Sequence, residues 1–536
     1  MKLAKRLMAL AMAVAMSVAV ASCSCGGDKP ADTNATTAAT TAASAKATTK
    51  AATTAATTAA NNNSNSNSGS KIDNGDDLAA LPKIKDQVYD APSDSKRPSD
   101  SFIKSVKGYT LKINHPWNFG AKNDASNPSL TYYKQAASYV NSKYGATIDE
   151  SGKFDDYNKT LQGEIKANKF GYQMYEVQNF YFNSFLKNGY MKDLSAAKKT
   201  AAVSFGESWY DVKTTQLSCI DGAQYGWTSF DVEYIVPTGI LYNKKLIKNA
   251  NLTDPMVLAR KGQWTWDKLS EYAKALNSSN VKGFRISTKD GGTLYNSLMT
   301  AAGTPIVSVS KGASPTSNVM SQTGKDCLQQ IQTWIADKTL TVGLNEDWSQ
   351  NKKLFSEAKI AMVLGSHDTL KSCTSQAVKG SIGMVPFPTK SASKSYNSVQ
   401  AVQFMSFIPS FYKDDNEAAK IIFLRDEQLQ QLYRYREKIY LGLYKSYGLD
   451  SDALSMTYQI KYGTKDPAGV TYGKSVSAVT IVDPNGSDSD GTPALTKIVS
   501  PVLSGGAASS SISSNGPALQ NSYDSWWKNH KFTGSY

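Results

Sequence analysis

Residues 262–276 read GQWTWDKLSEYAKAL, and this stretch carries the clearest local instructions in the chain. Leu269, Tyr272, Ala273 and Leu276 recur at three- and four-residue intervals, which puts them on one face of a helix. Thr265 has the hydroxyl that suits a helix N-cap, and Asp267 favours the positive helix start. The helix therefore opens at Trp266, whose ring is expected to pack that helix. Trp264 precedes the cap and is not fixed by the pattern, so it is the one of the two left free to face a ligand. Upstream, GILYNKKLIKNANL (239–252) passes from an apolar run into a helical pattern, and downstream GFRIST (283–288) reads as a short strand. Strands alternating with helices of this size imply an α/β architecture with mainly parallel pairing.

The alternation extends in both directions. YTLKINHP (109–116) alternates as a strand, and LTYYKQAASYVNSKYG (130–145) is helical up to Gly145, where a C-cap glycine belongs. FDDYNKTLQGEIKAN (154–168) reads as a second helix, and residues 173–194 as strand, loop and helix. CLQQIQTWIAD (327–337) and KIAMVLGS (359–366) add a helix and a strand. VQFMSFIPS (402–410) is followed by one long helical pattern over 416–440. SGGAASSSISSNGPALQ (504–520) is expected to be a flexible loop ahead of NSYDSWWKNH, whose Trp526 and Trp527 would pack a helix onto the fold. A chain of 536 residues is too long for one compact core and implies two or more lobes.

The first residues set the expected compartment. MKLAKR carries Lys2, Lys5 and Arg6, an apolar run follows, and small residues lead to a cysteine at VASC. This reads as a secretory signal peptide over 1–22, too short for an ordinary membrane-spanning helix. VASC resembles a bacterial lipobox, which makes Cys23 the expected site of diacylglycerol attachment and the extracytoplasmic face of the cell membrane the expected location. Residues 33–70 hold no aromatic and no large aliphatic side chain, so 23–104 is read as the lipidated cysteine followed by a disordered Thr/Ala/Asn/Ser tether. Cys219, Cys327 and Cys373 are odd in number, far apart and without a C-x-x-C pair, which argues against a disulfide scaffold and a zinc site. The formal charge of +14 comes from scattered lysine without a dense run, and together with export this argues against a nucleic-acid partner. Arginine, the residue suited to bidentate anion recognition, is scarce, which favours an uncharged ligand.

PTGILYNKKLIKNANLTDP (237–255), followed by GQWTWDKLSEYAKAL, resembles the signature segment of family 1 extracellular solute-binding proteins, the lipid-anchored capture proteins of bacterial ABC importers, often for oligosaccharides. SYVNSKYGATIDE, FLKNGYMKDLS, DGAQYGWTSF, FSEAKIAMVLGSHD and IGMVPFP resemble further family segments in the expected order. The resemblance spans Thr110 to Leu424. It implies a two-lobed periplasmic-binding-protein-like α/β fold with a hinge and an interlobe ligand cleft. Lobe 1 would comprise 105–236 and 389–430, and lobe 2 would comprise 237–388 and 431–536. The region after Leu424 is longer and richer in tyrosine than the family's usual ending. The implied partners are a neutral solute, most often an oligosaccharide, and the permease subunits of an ABC transporter. No cofactor is implied, and the protein is expected to act as a monomer.

A sugar site needs aromatic platforms beside Asp, Asn, Gln or Glu. Trp117 lies in the loop leaving the first strand, and Asn179 and Tyr181 leave the next matching one. Trp227, Asp231 and Glu233 lie at the first crossing between lobes. Tyr295 follows a glycine turn that opens a helix. His367 and Asp368 occupy a loop in which many oligosaccharide-binding relatives present an aromatic. The plain alternative for each is a core ring or a solvated hinge charge. DPNGSDSDG (483–491) is acidic but lacks the spaced ligands and terminal Glu of an EF-hand loop, and reads as a solvated turn. No G-x-S-x-G, H-E-x-x-H, Walker or G-x-G-x-x-G motif is present, and His115, His367 and His530 are too dispersed to suggest a metal cluster. A glycosidase carboxylate pair has no fixed spacing. A non-catalytic solute receptor is therefore expected, with a surface polysaccharide adhesin and a glycoside hydrolase as the alternatives.

Overall fold

The computed structural model describes residues 97–116, 130–154, 162–167, 169, 171–230, 238–373, 377–400, 404–476 and 493–534. Cys23, residues 24–96 of the expected tether, Trp117, Asp231, Glu233 and the acidic loop at 483–491 lie outside these residues. The end of the expected disordered tether is instead ordered: Asp100–Ser105 form a helix capped by Ser99, because Phe102 is buried edge-on against Phe423. In the first lobe, β1 (Thr110–Pro116) leads to α1 (Leu130–Tyr144), β2 (Thr147–Phe154) and β3 (Met174–Gln178). β2 and β3 flank β1 and run parallel to it. Gly145 ends α1 at φ +66°, as the sequence implies. Of the helix expected over 154–168, Phe154 is instead held in β2 opposite Pro116 and Gln162–Ala167 are helical, while 155–161 and 168 lie outside the described residues. β4 (Cys219–Ile220) and β5 (Ala223–Gln224) form a two-residue hairpin. Asp221 and Gly222 make its turn with φ of 52° and 85°, the left-handed pair that an Asp-Gly hairpin turn requires.

The second lobe follows as β6 (Gly239–Asn243), α2 (Trp266–Leu276), β7 (Lys282–Ser287), α3 (Gly291–Ala301), the small hairpin β8 (Val307–Ser308) and β9 (Thr316–Ser317), and α4 (Gln322–Ala336). It continues through β10 (Leu340–Gly343), α5 (Trp348–Ser356), β11 (Ile360–Gly365), α6 (His367–Ser372) and β12 (Ile382–Pro386). The sheet order is β10-β7-β11-β6-β12, with β10, β7 and β11 parallel and β6 antiparallel to both its neighbours. β6, β11 and β12 are buried along their whole length, as strands covered on both faces must be. α2 forms as its pattern dictates. The Thr265 hydroxyl accepts from the Lys268 amide at 3.3 Å, and Trp266, Leu269, Tyr272, Ala273 and Leu276 are buried. A Cβ on Gly283 would stand 1.8 Å from the Ala273 carbonyl oxygen, so α2 lies directly on the backbone of β7. Trp264 is fully buried instead of facing a cleft. Its Nε1 donates to Pro386 O at 3.1 Å, and Trp266 Nε1 donates to Pro388 O at 2.9 Å. Both rings fix the exit of β12.

β13 (Ser395–Gln400) precedes the return to the first lobe, where β14 (Phe404–Phe407) pairs antiparallel with β3 and completes the sheet order β14-β3-β1-β2. Thr238, just ahead of β6, donates its amide to Val399 O of β13 at 2.8 Å. The helical pattern over 416–440 resolves into α7 (Asp415–Arg434) and α8 (Arg436–Ser446), broken at Tyr435. α9 (Ser451–Tyr462) follows, and then β15 (Thr471–Val476), which pairs parallel with β13. α10 (Pro493–Leu503) and α11 (Ala508–Trp527) pack against each other and onto α4. The loop expected over 504–520 is thus mostly helix. Ile512, Leu519, Tyr523 and Trp527 line its buried side, and Gly516 lies directly under the Met320 side chain. This contact stripe outweighs the helix-weakening Gly-Pro pair.

Candidate ligand-binding face

In each lobe the parallel strands end along one edge, the edge at which open α/β sheets bind ligands. In the first lobe β1 delivers His115 to this edge, and β3 delivers Gln178 and Asn179. Just behind lies a dry cluster of four ionisable groups. His115 Nδ1 donates to Glu176 Oε2 at 2.8 Å, and His115 Nε2 stands 3.3 Å from Glu150 Oε1. Arg425 of α7 donates to Glu150 Oε1 at 3.0 Å and Glu176 Oε1 at 2.6 Å, while Gln428 Nε2 donates to Glu150 Oε2 at 2.9 Å. Burial opposes charge on His115, but the two carboxylates outweigh it and lift its pKa to about 9. Burial likewise works against ionised Glu176, but His115 and Arg425 hold its pKa at about 2. The result is a charge-balanced clamp joining β1, β2, β3 and α7. A carboxyl held so far down is unsuited to act as a general acid near neutrality. The next residue on α7, Asp426, accepts from Trp209 Nε1 at 2.6 Å and from the Tyr210 hydroxyl. Burial pushes its carboxyl up to about 7 against those two hydrogen bonds.

The second lobe assembles a polar bed with an aromatic plate on it. After β7, Asp290 Oδ2 accepts from the Ser287 amide and hydroxyl, both at 2.8 Å, and from Asn351 Nδ2 at 2.9 Å. Burial raises the Asp290 pKa. Arg285 reaches from β7 to Asn351 Oδ1 and, at 2.6 Å, to Glu346 Oε2. A Cβ at Gly343, the last residue of β10, would stand 2.4 Å from Arg285 Nη2, so only glycine leaves room for this ion pair. Trp348 opens α5 and is 45% exposed. One turn on, the Lys352 ammonium sits 3.2 Å from the centre of the Trp348 ring. Lys352 is itself buried, which draws its pKa down to about 7. When protonated, Lys352 holds one face of the indole by a cation–π contact, and a little under half of Trp348 is left to solvent.

The structure separates the residues singled out in the sequence. Asn179 is fully buried in the short turn that leaves β3, and Tyr181 lies with its ring stacked on Phe185 at 5.7 Å. Trp227 is 1% exposed and stacked on Phe205 at 5.2 Å, and its backbone pairs with Ser406 of β14. Tyr295 is fully buried and donates its hydroxyl to Gly324 O at 2.9 Å. As placed, Trp227 and Tyr295 offer no ring face to a solute. They fill cores because both faces of their backbone segments are covered by neighbouring elements. His367 and Asp368 occupy the first turn of α6, directly after β11; their side chains are outside the described set. Trp348, Lys352 and the His115 cluster were not singled out from sequence. An indole next to an N-cap Asp after a strand ending in Gly was the available signal for Trp348. Among the described residues, no group of three His, Cys, Asp or Glu is arranged to hold a metal ion, and no helix is long and apolar enough to cross a membrane.

The sequence profile of the bacterial extracellular solute-binding proteins matches residues 124–420, more than half of the chain. The chain belongs to this family. No curated protein matches this solute-binding protein. Solved structures match its two-lobed fold at low identity. A cyclo/maltodextrin-binding protein complexed with maltotetraose is 15% identical, with a TM-score of 0.52 over 77% of this chain and 96% of the other. An ABC transporter solute-binding protein from Thermotoga lettingae bound with α-D-tagatose is 15% identical, with a TM-score of 0.51 over 77% of this chain and 100% of the other. UgpB from Mycobacterium tuberculosis in complex with glycerophosphocholine is 12% identical, with a TM-score of 0.52 over 77% and 98%. At these identities the likeness establishes the fold alone.

Proposed function

We propose that this solute-binding protein is the capture component of an ABC importer, anchored to the extracytoplasmic face of the membrane through Cys23, and that it closes its lobes on a neutral oligosaccharide. The lobes in this reading comprise 105–236 with 389–430, and 237–388 with 431–536. Trp348 carries the carbohydrate reading. A part-exposed indole just after the C-terminal end of β10, with Lys352 against one face, offers a flat surface for C–H groups, and the Asp290–Asn351 pair of the same lobe offers hydrogen-bonding groups for hydroxyls. Trp117, Asp231, Glu233, His367 and Asp368 complete the proposed contact set by their place at strand ends and crossings, with Asn179 and Tyr181 buried behind the end of β3. The sugar ligands of structural relatives support the same class.

The test is calorimetric titration of the purified protein with maltotetraose, laminaribiose, a chitin oligosaccharide, glycerophosphocholine, spermidine and a short peptide. A sugar is expected to bind, and Trp348→Ala is expected to weaken that sugar at least about tenfold, a loss of ~1.4 kcal/mol, while Trp348→Phe retains most of the affinity. Binding of the peptide or spermidine with no sugar response refutes the carbohydrate assignment. Release of shorter sugars on incubation refutes the non-catalytic reading. Sugar binding without a change in interlobe distance would favour a surface adhesin.

A further inference from the structure

The segment after α11 does not stay with the helices it follows. α11 packs on α4 and β9, and the β8–β9 hairpin is tied to it by Ser314 Oγ, which donates to Trp527 O at 3.1 Å. All of these belong to the second lobe. From Asn529 the chain runs to the β4–β5 hairpin of the first lobe, which is itself held there by the bond from the Leu194 amide to Gln224 O at 2.7 Å. Phe532 makes an antiparallel bridge with Ile220. The Asp221 amide donates to Lys531 O and the Thr533 amide to Cys219 O, both at 2.9 Å. Asp221 returns its carboxylate, with Oδ1 accepting from the Lys531 amide at 2.9 Å and Oδ2 lying 2.6 Å from His530 Nδ1. The Gly222 amide donates to Thr533 Oγ1 at 3.0 Å. Gly534 approaches so closely that a Cβ would stand 2.3 Å from Gln216 O.

The same few residues also grip the second lobe. Phe532 is buried and stacks on Trp527 at 4.1 Å, His530 stacks on Trp526 at 4.1 Å, and the Gly312 amide donates to Phe532 O at 2.7 Å. Phe532 therefore bonds the second lobe through its carbonyl and ring while its flanking residues bond the first. A rotation of one lobe against the other moves Gly312 relative to Asp221, and these short bonds cannot follow both.

We propose that residues 530–534 form a strap that sets the resting separation of the two lobes, so that solute capture works against it. The Asp-Gly turn of β4–β5 is then a docking post as well as a hairpin turn. The strap acts whichever solute is captured, and the test reads the ligand-free protein, so its outcome is separate from that of the sugar assignment. Spin labels on genetically encoded residues replacing the exposed Lys199 of the first lobe and Lys261 of the second report the interlobe distance. The full chain is expected to give one narrow distribution. Deletion of 530–536 is expected to widen it at least about twofold. The double variant Asp221→Gly/Phe532→Ala keeps a residue that accepts positive φ in the turn but removes the carboxylate that grips the strap on the first lobe and the ring that grips the second, and it decides the matter if the deletion does not fold. In that variant the Gly312 and Thr533 amides are expected to exchange with deuterium at least about tenfold faster, with β11 amides unchanged. A folded double variant with the parent's distance distribution and the parent's exchange at Gly312 overturns the proposal.

Discussion

His115, Glu176 and Asp426 are three buried ionisable groups with three different responses to pH. The folded pKa of His115, about 9, stands above its ordinary 6.5, so its contribution to stability is complete below about pH 6.5 and is lost as pH rises towards 9. Glu176, lowered from 4.5 to about 2, contributes fully above about pH 4.5 and loses its contribution as pH falls towards 2. The pair is therefore strongest between those limits. Proton NMR is expected to show His115 still cationic at pH 8, and a His115 signal that titrates near 6.5 would disprove the clamp. Arg425→Leu leaves two carboxylates facing one imidazolium and is expected to cost about 3–5 kcal/mol in urea unfolding. Asp426 runs the other way. Its folded pKa of about 7 lies above the ordinary 3.8, so stability falls as pH rises from about 4 to 7 and is level above that. Asp426→Asn removes this titration, and its unfolding temperature should improve relative to the parent across that interval.

At the scale of elements, α2 shows what a sequence states locally. Its cap, first turn and buried face are all written in consecutive residues, and the helix forms over the span that they predict. Thr265→Ala is expected to cost about 1 kcal/mol of stability. The fate of Trp264 was not written there, because the carbonyl of Pro386 that accepts from it comes from a strand far along the chain. The same holds for Trp227 and Tyr295, since local sequence shows that a ring is large and apolar but not which surface covers it. The His115 clamp unites residues from three strands and a helix, and no spacing rule links them. The expectation of a loop where α11 lies fails for the same reason, as its serine-rich surface hides a stripe of apolar residues that only the distant α10 and α4 make useful. Close contacts between elements are equally silent in sequence. Gly283→Ala drives a methyl into the Ala273 carbonyl, so α2 must move off β7. Thermal unfolding should show a loss well beyond that of Thr265→Ala, and a neutral result would mean that this packing is wrong.

At the scale of the whole molecule, neither lobe is a continuous piece of chain. The first sheet is finished by β14, and its clamp by Arg425, only after the entire β6–β13 segment has been made. The second lobe in turn collects α10 and α11 after α7 has returned to the first. A fragment ending at residue 400 therefore lacks both the edge strand and the guanidinium that pairs Glu150 with Glu176. It is expected to show no cooperative unfolding of the first lobe, by near-ultraviolet circular dichroism in urea. Retention of a sharp transition would mean that β1, β2 and β3 suffice.

The bond between Ser406 and Glu176 spans 230 residues. At about 5–20 residues added per second, a ribosome needs on the order of ten to fifty seconds to supply the partner after the first carboxylate has emerged. During that interval the first lobe has no complete sheet to lock into. In the exported, Cys23-anchored reading proposed above, such a delay would be useful. The chain would stay threadable on its way across the membrane, and the late-arriving strand would fasten the fold only on the far side.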